Sequence, residues 1–227
     1  MAASDSGPVA ELVENPLGVP FAIFMDVFTA ELEPILLAQP GLISIMTGFV
    51  MPCDSGREPA TAPSMAVSLT QWESLAAHSA FLASPAAQPF FQRVQPLTAG
   101  PPTIQHFRLG HLAPRALGSS YSHICKSDVP GHSSLRAAVA GHVHSHGKEA
   151  GVMGPCTEDT ARAAAVLFGD HTVADSVRNP GDWAAAYTVS WQRNTVKRRS
   201  HSLPGFIVVH PVGFGYHAGL DIVKNKK

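Results

Sequence analysis

Cysteine and charge are both scarce in this chain of 227 residues. The three cysteines, Cys53, Cys125 and Cys156, are odd in number and show no C-x-x-C spacing. That excludes a disulfide framework and a zinc ribbon. Charged residues make up 15% of the chain, against about 25% in an ordinary globular domain. With a net charge of −1, no field of either sign exists to collect nucleic acid or anionic lipid. Neither nucleic acid nor membrane is therefore expected as a partner. The basic run Lys197-Arg198-Arg199 and the tail Lys224 to Lys227 read as a solvated turn and a frayed end. No apolar run reaches the ~18 residues of a membrane span. Met1 to Ser6 has neither the basic nor the apolar region of a signal peptide and reads as a short disordered leader. These features point to the cytoplasm. Also missing are a phosphate-binding glycine loop, a dinucleotide fingerprint, a G-x-S-x-G elbow and an H-E-x-x-H helix. The expectation is a protein without cofactor or metal.

Hydrophobic residues, by contrast, make up 45% of the chain, enough for two units of about 100 residues each. The first half predicts the order β-α-β-β-α-β. Val9 to Asn15 reads as a strand. Phe21, Phe24, Met25, Phe28, Leu32, Ile35 and Leu36 carry helical spacing over Val19 to Gln39, interrupted by Pro34. Leu42 to Met51 and Ser64 to Trp72 read as strands on either side of a Pro-rich loop. Ser74 is a predicted N-cap for a helix that Pro85 and Pro89 break into segments. Thr103 to Gly110 is the closing strand.

The second half predicts the same order: strand Tyr121 to Lys126, helix Ser133 to Lys148, strands Gly151 to Thr157 and Ala161 to Phe168, helix Asp182 to Arg193, and last strand Phe206 to His210. Trp183, Tyr187 and Trp191 set the second helix by their i, i+4, i+8 spacing. Trp72-Glu73-Ser74 parallels Phe168-Gly169-Asp170, and Pro101 to Ile104 parallels Leu203 to Phe206, as in a diverged duplication. The expected division is 1–115 and 116–227. The fold class is α+β, with two ferredoxin-like β-α-β-β-α-β units in tandem.

The stretch Met65 to Phe91 resembles the third strand and second helix of the dimeric α/β-barrel superfamily, where the strand ends in Trp-acid-Ser and the helix carries His and Phe. Gln39 to Gly48 is similar to that family's second strand after its Pro-Gly turn. With Pro101 to Leu109, the resemblance covers most of 9–110, and over 119–210 it is one of topology. The superfamily includes antibiotic-biosynthesis monooxygenases, haem-degrading enzymes, polyketide cyclases and stress-responsive barrel proteins. The resemblance implies two four-stranded antiparallel sheets paired into a barrel, usually from two subunits, and a ligand held between sheet and helices. It also suggests a fungal tandem-domain member, with homodimerisation left open. The haem-degrading relatives use Asn, Trp and His in the order Asn15, Trp72, His78, but His78 follows Trp72 by only six residues. Ala87 stands where the cyclase relatives carry a catalytic His.

Several side chains could carry chemistry. His106 shares its strand face with Ile104 and Arg108, and a partly polar face in an apolar protein suggests a lined cavity. His123 lies on the first strand of the second half. A histidine on a rigid strand, with an ordinary pKa of ~6.5, suits a general base. His106, His123 and Asn15 are the catalytic candidates. Asn15 either holds a substrate carbonyl or O₂ or, before Pro16, is a turn residue. Trp72, His78, Phe81, Phe90 and Tyr187 are substrate-binding candidates, with His78 read as a helix-surface residue and Trp72 as a pocket wall or, as such a residue more often is, core. His142, His144 and His146 imitate a metal tract, yet 144 falls off the face that 142 and 146 share. The expected function is a cofactor-independent enzyme of natural-product biosynthesis, of the monooxygenase type. Its partner would be a hydrophobic aromatic or polyketide-like small molecule. The alternatives are a cyclase, isomerase or lyase in the same pocket, and a non-catalytic ligand-binding barrel.

Overall fold

A computed structural model describes residues 7–51, 65–169, 185–198, 205–209 and 220–223. The leader 1–6, the loop holding Cys53, Trp183, Arg199 and the lysine tail, on which expectations were placed above, lie outside the described residues.

The first unit follows the sequence closely. In β1 (Val9–Pro16), Ala10 and Leu12 face one side while Glu11, Val13 and Asn15 face the other. α1 (Phe21–Val27) passes through one π-helical turn (Phe28–Leu32) into α2 (Glu33–Leu37). Pro34 has no N–H to give the carbonyl four residues back, and the helix widens just before it. β2 (Leu42–Val50) and β3 (Met65–Trp72) follow. The Ser74 hydroxyl accepts the Ala77 N–H at 3.1 Å and starts α3 (Leu75–Leu82). α4 (Ala87–Val94) and β4 (Thr103–Phe107) complete the unit.

The second unit contains α5 (Pro114–Leu117), β5 (Tyr121–Ser127), α6 (Ser133–His146), β6 (Gly151–Pro155), β7 (Ala163–Gly169), β8 (Ala185–Arg198), β9 (Gly205–Val209) and β10 (Leu220–Val223). The helix expected over Asp182 to Arg193 is not there: 185–193 belong to β8. Tyr187 and Trp191 are four apart, and that spacing keeps two side chains on one face of a strand as well as of a helix. Nor does the last strand match Thr103 to Phe107. β8 holds that place, and β9 pairs with the far part of β8, from Asn194 to Arg198.

The strands run β4-β1-β3-β2 and then β8-β5-β7-β6, every pair antiparallel. The second quartet repeats the order of the first. The registers align residue by residue: Leu12 lies between Leu69 and Gln105, and Ile124 between Val166 and Tyr187. Glu11 thus corresponds to His123, Glu14 to Lys126, and His106 to Thr188. Phe168, matched to Trp72 in the sequence, points into the barrel whereas Trp72 points to the helices. The repeat is offset there by one residue. The chain is therefore α+β, built from two ferredoxin-like units in tandem.

Two seams join the units. β2 pairs with β8, and a bridge between Phe107 and Cys156 brings β4 to β6 and closes the barrel. The seams are built alike. Met51 N–H donates to Thr188 O in one and Thr157 N–H to His106 O in the other, each at 2.8 Å. Each also has a glycine where two backbones meet. A Cβ on Gly48 would stand 2.1 Å from Ser190 O, and one on Gly154 would stand 2.0 Å from Arg108 O.

The barrel interior is filled by Leu12, Met46, Leu69, Phe107, Ile124, Val166, Phe168 and Trp191, with Leu112, Ala116 and Leu117 of the junction packed among them. Inside it, the Glu14 carboxylate accepts from Lys126 Nζ at 2.7 Å and from the Tyr187 hydroxyl, tying the units together. The helices of the first unit pack Phe24, Phe28, Leu32 and Phe81 against the outer sheet face. α6 packs Leu135 on Ala163, Ala165 and Leu167. No helix among the described residues is long and apolar enough to cross a membrane.

The seam argument predicts opposite signs for two glycine substitutions. Gly154→Ala forces a Cβ against backbone and should cost about 1–3 kcal/mol. Gly141→Ala, mid-helix in α6 with nothing within 4 Å of the new Cβ, should gain up to about 1 kcal/mol. Urea denaturation midpoints of both variants check this, and equal shifts would contradict it.

Candidate active site

Between the outer sheet face of the first unit and its helices lies a cavity of about 930 Å³. Strand residues Glu11, Val13, Asn15, Ser68, Thr70, Ile104 and His106 line its sheet side, and Phe24, Phe28, Phe81, Phe90 and Phe91 its helix side. Among the side chains on the wall, Glu11, His78 and His106 are drawn into one row.

That row follows from the fold. Glu11 and His106 are direct partners across β1 and β4, so their side chains stand together on one face. His78 sits one turn into α3, its ring over Trp72 at 5.2 Å between centroids. The Trp72 Nε1–H donates to Glu11 Oε2 at 2.9 Å. Glu11 Oε1 lies 3.3 Å from His78 Nε2, and His78 Nδ1 lies 2.9 Å from His106 Nε2. His106 Nδ1 meets Glu158 Oε1. Glu158 Oε2 also accepts from the His106 backbone N–H at 3.3 Å and from Cys156 Sγ–H at 2.9 Å.

One close carboxylate–imidazole contact and two hydrogen bonds join four titratable side chains in series. Burial works to raise the Glu158 carboxyl. Hydrogen bonds from Cys156 and His106 and the positive charge of His106 outweigh that and hold it at about 2. Glu158 is therefore an acceptor at neutral pH, and the proton of its link rests on His106 Nδ1. Such a row can accept a proton at one end and release one at the other.

The donor atoms of Glu11, His78 and His106 lie within 4.8 Å of one another, and they are the one such group among the described residues. The sequence pointed to no metal ligands. Two imidazoles and a carboxylate are a competent set, with bonds of about 2.0–2.2 Å. Here, however, Glu11 and His106 stand against opposite nitrogens of His78, so all three could share one ion only after that ring moved. His142 and His146 stack at 4.2 Å, with His142 Nε2 at 3.0 Å from Phe168 O and His146 Nδ1 at 3.1 Å from His142 O.

Of the residues singled out in the sequence, Asn15, His78, Phe81, Phe90 and His106 line the cavity. Trp72 is fully buried behind them. His78, expected on the helix surface, is only 3% exposed. Asn15 is no turn residue: it lies within β1, paired with Ala66 of β3, and is buried. Tyr187 and His123 lie elsewhere. Tyr187 is inside the barrel, where burial and then the neighbouring Glu14 carboxylate push its hydroxyl far above the usual range. His123 Nδ1 bonds Thr188 Oγ1 at 3.0 Å, and its buried Nε2 has no partner. Glu11 and Glu158 were missed. Glu11 did leave a signal, an acid within the apolar run Val9 to Val13 of a charge-poor chain. Glu158 left none, because the β4–β6 seam delivers it.

No protein-family model and no curated protein matches the chain. Solved structures do. A proposed monooxygenase from Fusobacterium nucleatum aligns over 82% of this chain and 92% of its own, with TM-score 0.56 and 8% identity. One from Lactobacillus acidophilus aligns over 82% and 93%, with TM-score 0.55 and 10% identity. An anthrone oxidase-like protein aligns over 84% and 93%, with TM-score 0.51 and 10% identity. The chain has the dimeric α/β-barrel fold, with both units in one polypeptide. The two sources named are bacterial, so the expected fungal origin gains no support from them.

Burial pushes His123 below its ordinary value of 6.5. The unfolded chain therefore binds this proton more tightly than the folded one. The resulting stability is present above pH 6.5 and is lost as pH falls below it. His123→Gln should flatten that loss. Melting temperatures of both proteins between pH 8 and about 5 test this, and parallel curves would refute it.

Proposed function

We propose that the protein is a cofactor-independent enzyme of the monooxygenase type, acting on a hydrophobic aromatic or polyketide-like small molecule of natural-product biosynthesis. The observation that carries this reading is the Glu11–His78–His106 row on the wall of an apolar cavity. A volume near 930 Å³ is at the upper end for small-molecule sites, about 300–1,000 Å³. Phenylalanines on the helix side suit a flat aromatic ligand, while Asn15, Ser68 and Thr70 offer polar contacts to fix its orientation. The cytoplasm suits a chain whose Cys125 and Cys156 are free.

The chemistry balances without a redox group in the protein. The row takes a proton from an activated ring CH₂. The carbanion passes electrons to O₂ and captures it as a peroxide anion, which takes a proton back from the row or from water to become the hydroperoxide. That species loses water to leave a carbonyl, so one oxygen atom enters the product and the other departs as water. Removing the proton is the step the protein accelerates, and a positioned base contributes typically 10²–10⁴-fold. Phe81 and Phe90 hold the ring, and Trp72 holds Glu11 in place.

An oxygen electrode with dithranol, a simple anthrone, tests the reading. The wild type should consume one O₂ per anthrone, and His106→Ala or His78→Gln should slow it about 10²–10⁴-fold. Unchanged rates in both variants would remove the row as the base. Turnover without O₂ would instead indicate a cyclase, isomerase or lyase. Binding without turnover would indicate a ligand-binding barrel.

A further inference from the structure

We infer that Glu158, a residue of the second unit, positions His106 and is the terminal through which protons of the first unit's site reach water. The inference rests on the acid–base reading above, but it is carried by separate observations. The first is a step in exposure at the end of the row. The Glu11, His78 and His106 side chains are 11%, 4% and 10% exposed, and that of Glu158 is 50% exposed. The first three line the cavity, and Glu158 opens to solvent.

Geometry supplies the second observation. Glu158 grips His106 twice, at the ring through Oε1 and at the backbone N–H through Oε2. A ring held by a carboxylate at Nδ1 has its tautomer and orientation fixed, which leaves Nε2 directed at His78. Glu158 is itself placed by the seam: Thr157 N–H bonds His106 O, and Arg108 N–H bonds Pro155 O at 3.0 Å. The carboxylate thus arrives by the same hydrogen bonds that close the barrel.

Divergence between the units is the third. The second-unit counterparts of Glu11 and His106 are His123 and Thr188, so that sheet face has no such row. What the second unit contributes is Glu158.

The proton balance is simple. One proton enters at the Glu11–His78 end as one leaves His106 Nδ1 through Glu158 to water, so the number of protons on the row is unchanged. A carboxylate held at about 2 is ionised at neutral pH, so a proton that reaches it is released to solvent.

Imidazole ¹⁵N–¹H spectra of the full-length protein test both roles without a substrate. In the wild type, His106 should be protonated at Nδ1. Glu158→Ala should abolish that Nδ1–H signal. Glu158→Gln keeps an acceptor oxygen but cannot take up the proton. It should retain the signal, while exchange of the proton shared by His78 and His106 with water slows by at least about tenfold. With dithranol, Glu158→Gln should lower kcat and leave KM unchanged. A His106 ring unaltered in Glu158→Ala would overturn the positioning role, and unaltered exchange in Glu158→Gln would overturn the terminal. If the wild type ignores dithranol, the proposed substrate chemistry fails, and the spectra still decide the role of Glu158.

Discussion

The hydrogen bonds between the end of β6 and β4 are what the rest of the molecule depends on. They bring the two ends of the β4-β1-β3-β2-β8-β5-β7-β6 path together into a barrel, where each would otherwise be an open edge. They also shut the interior, so that Phe107, Ile124 and Trp191 pack on one another rather than on water. Gly154 is there because a side chain would strike Arg108 O. Two residues beyond the bridge comes Glu158. Closure and completion of the candidate site are thus one event, and the helices that roof the cavity cannot supply that carboxylate.

The units share a strand order and two matching seams, yet they have diverged where chemistry is concerned. The first has a cavity with acid and imidazole partnered across β1 and β4. At the equivalent positions the second has His123 and Thr188, under a helix packed on alanines. Inside the barrel the divergence is complementary. Glu14 and Lys126 occupy corresponding positions and have become an ion pair. With charge so scarce in the sequence, a pair spent in the interior marks where the units must stay in register.

Much of the first unit was legible because its punctuation is local. Pro34, Ser74 and Pro85 each act within one turn of where they stand, whereas Pro89, expected to break the helix, lies in the first turn of α4, where a missing N–H costs no helical bond. The cavity was foreshadowed by His106 and Ile104 on one strand face. Reading failed where a pattern had two solutions. Tyr187 and Trp191 fit both helix and strand periods, and the strand won because β8 must bridge β2 and β5 at once. His78 was taken for a solvated helix residue because nothing in the sequence says that Glu11 and His106 wait beneath it. Glu158 is 52 residues from His106, and only tertiary closure joins them.

A barrel assembled from two separate chains exists in proportion to their concentration and comes apart on dilution. Here both sheets are on one polypeptide, and Gln71, whose amide donates to Gly110 O at 2.5 Å, and Asn194, whose amide donates to Leu117 O at 2.5 Å, pin the crossing segment to the wall. Each sheet meets its mate at an effective concentration set by that short tether, on the order of millimolar or more. The barrel itself can therefore persist at low concentration, because its two halves never have to find each other.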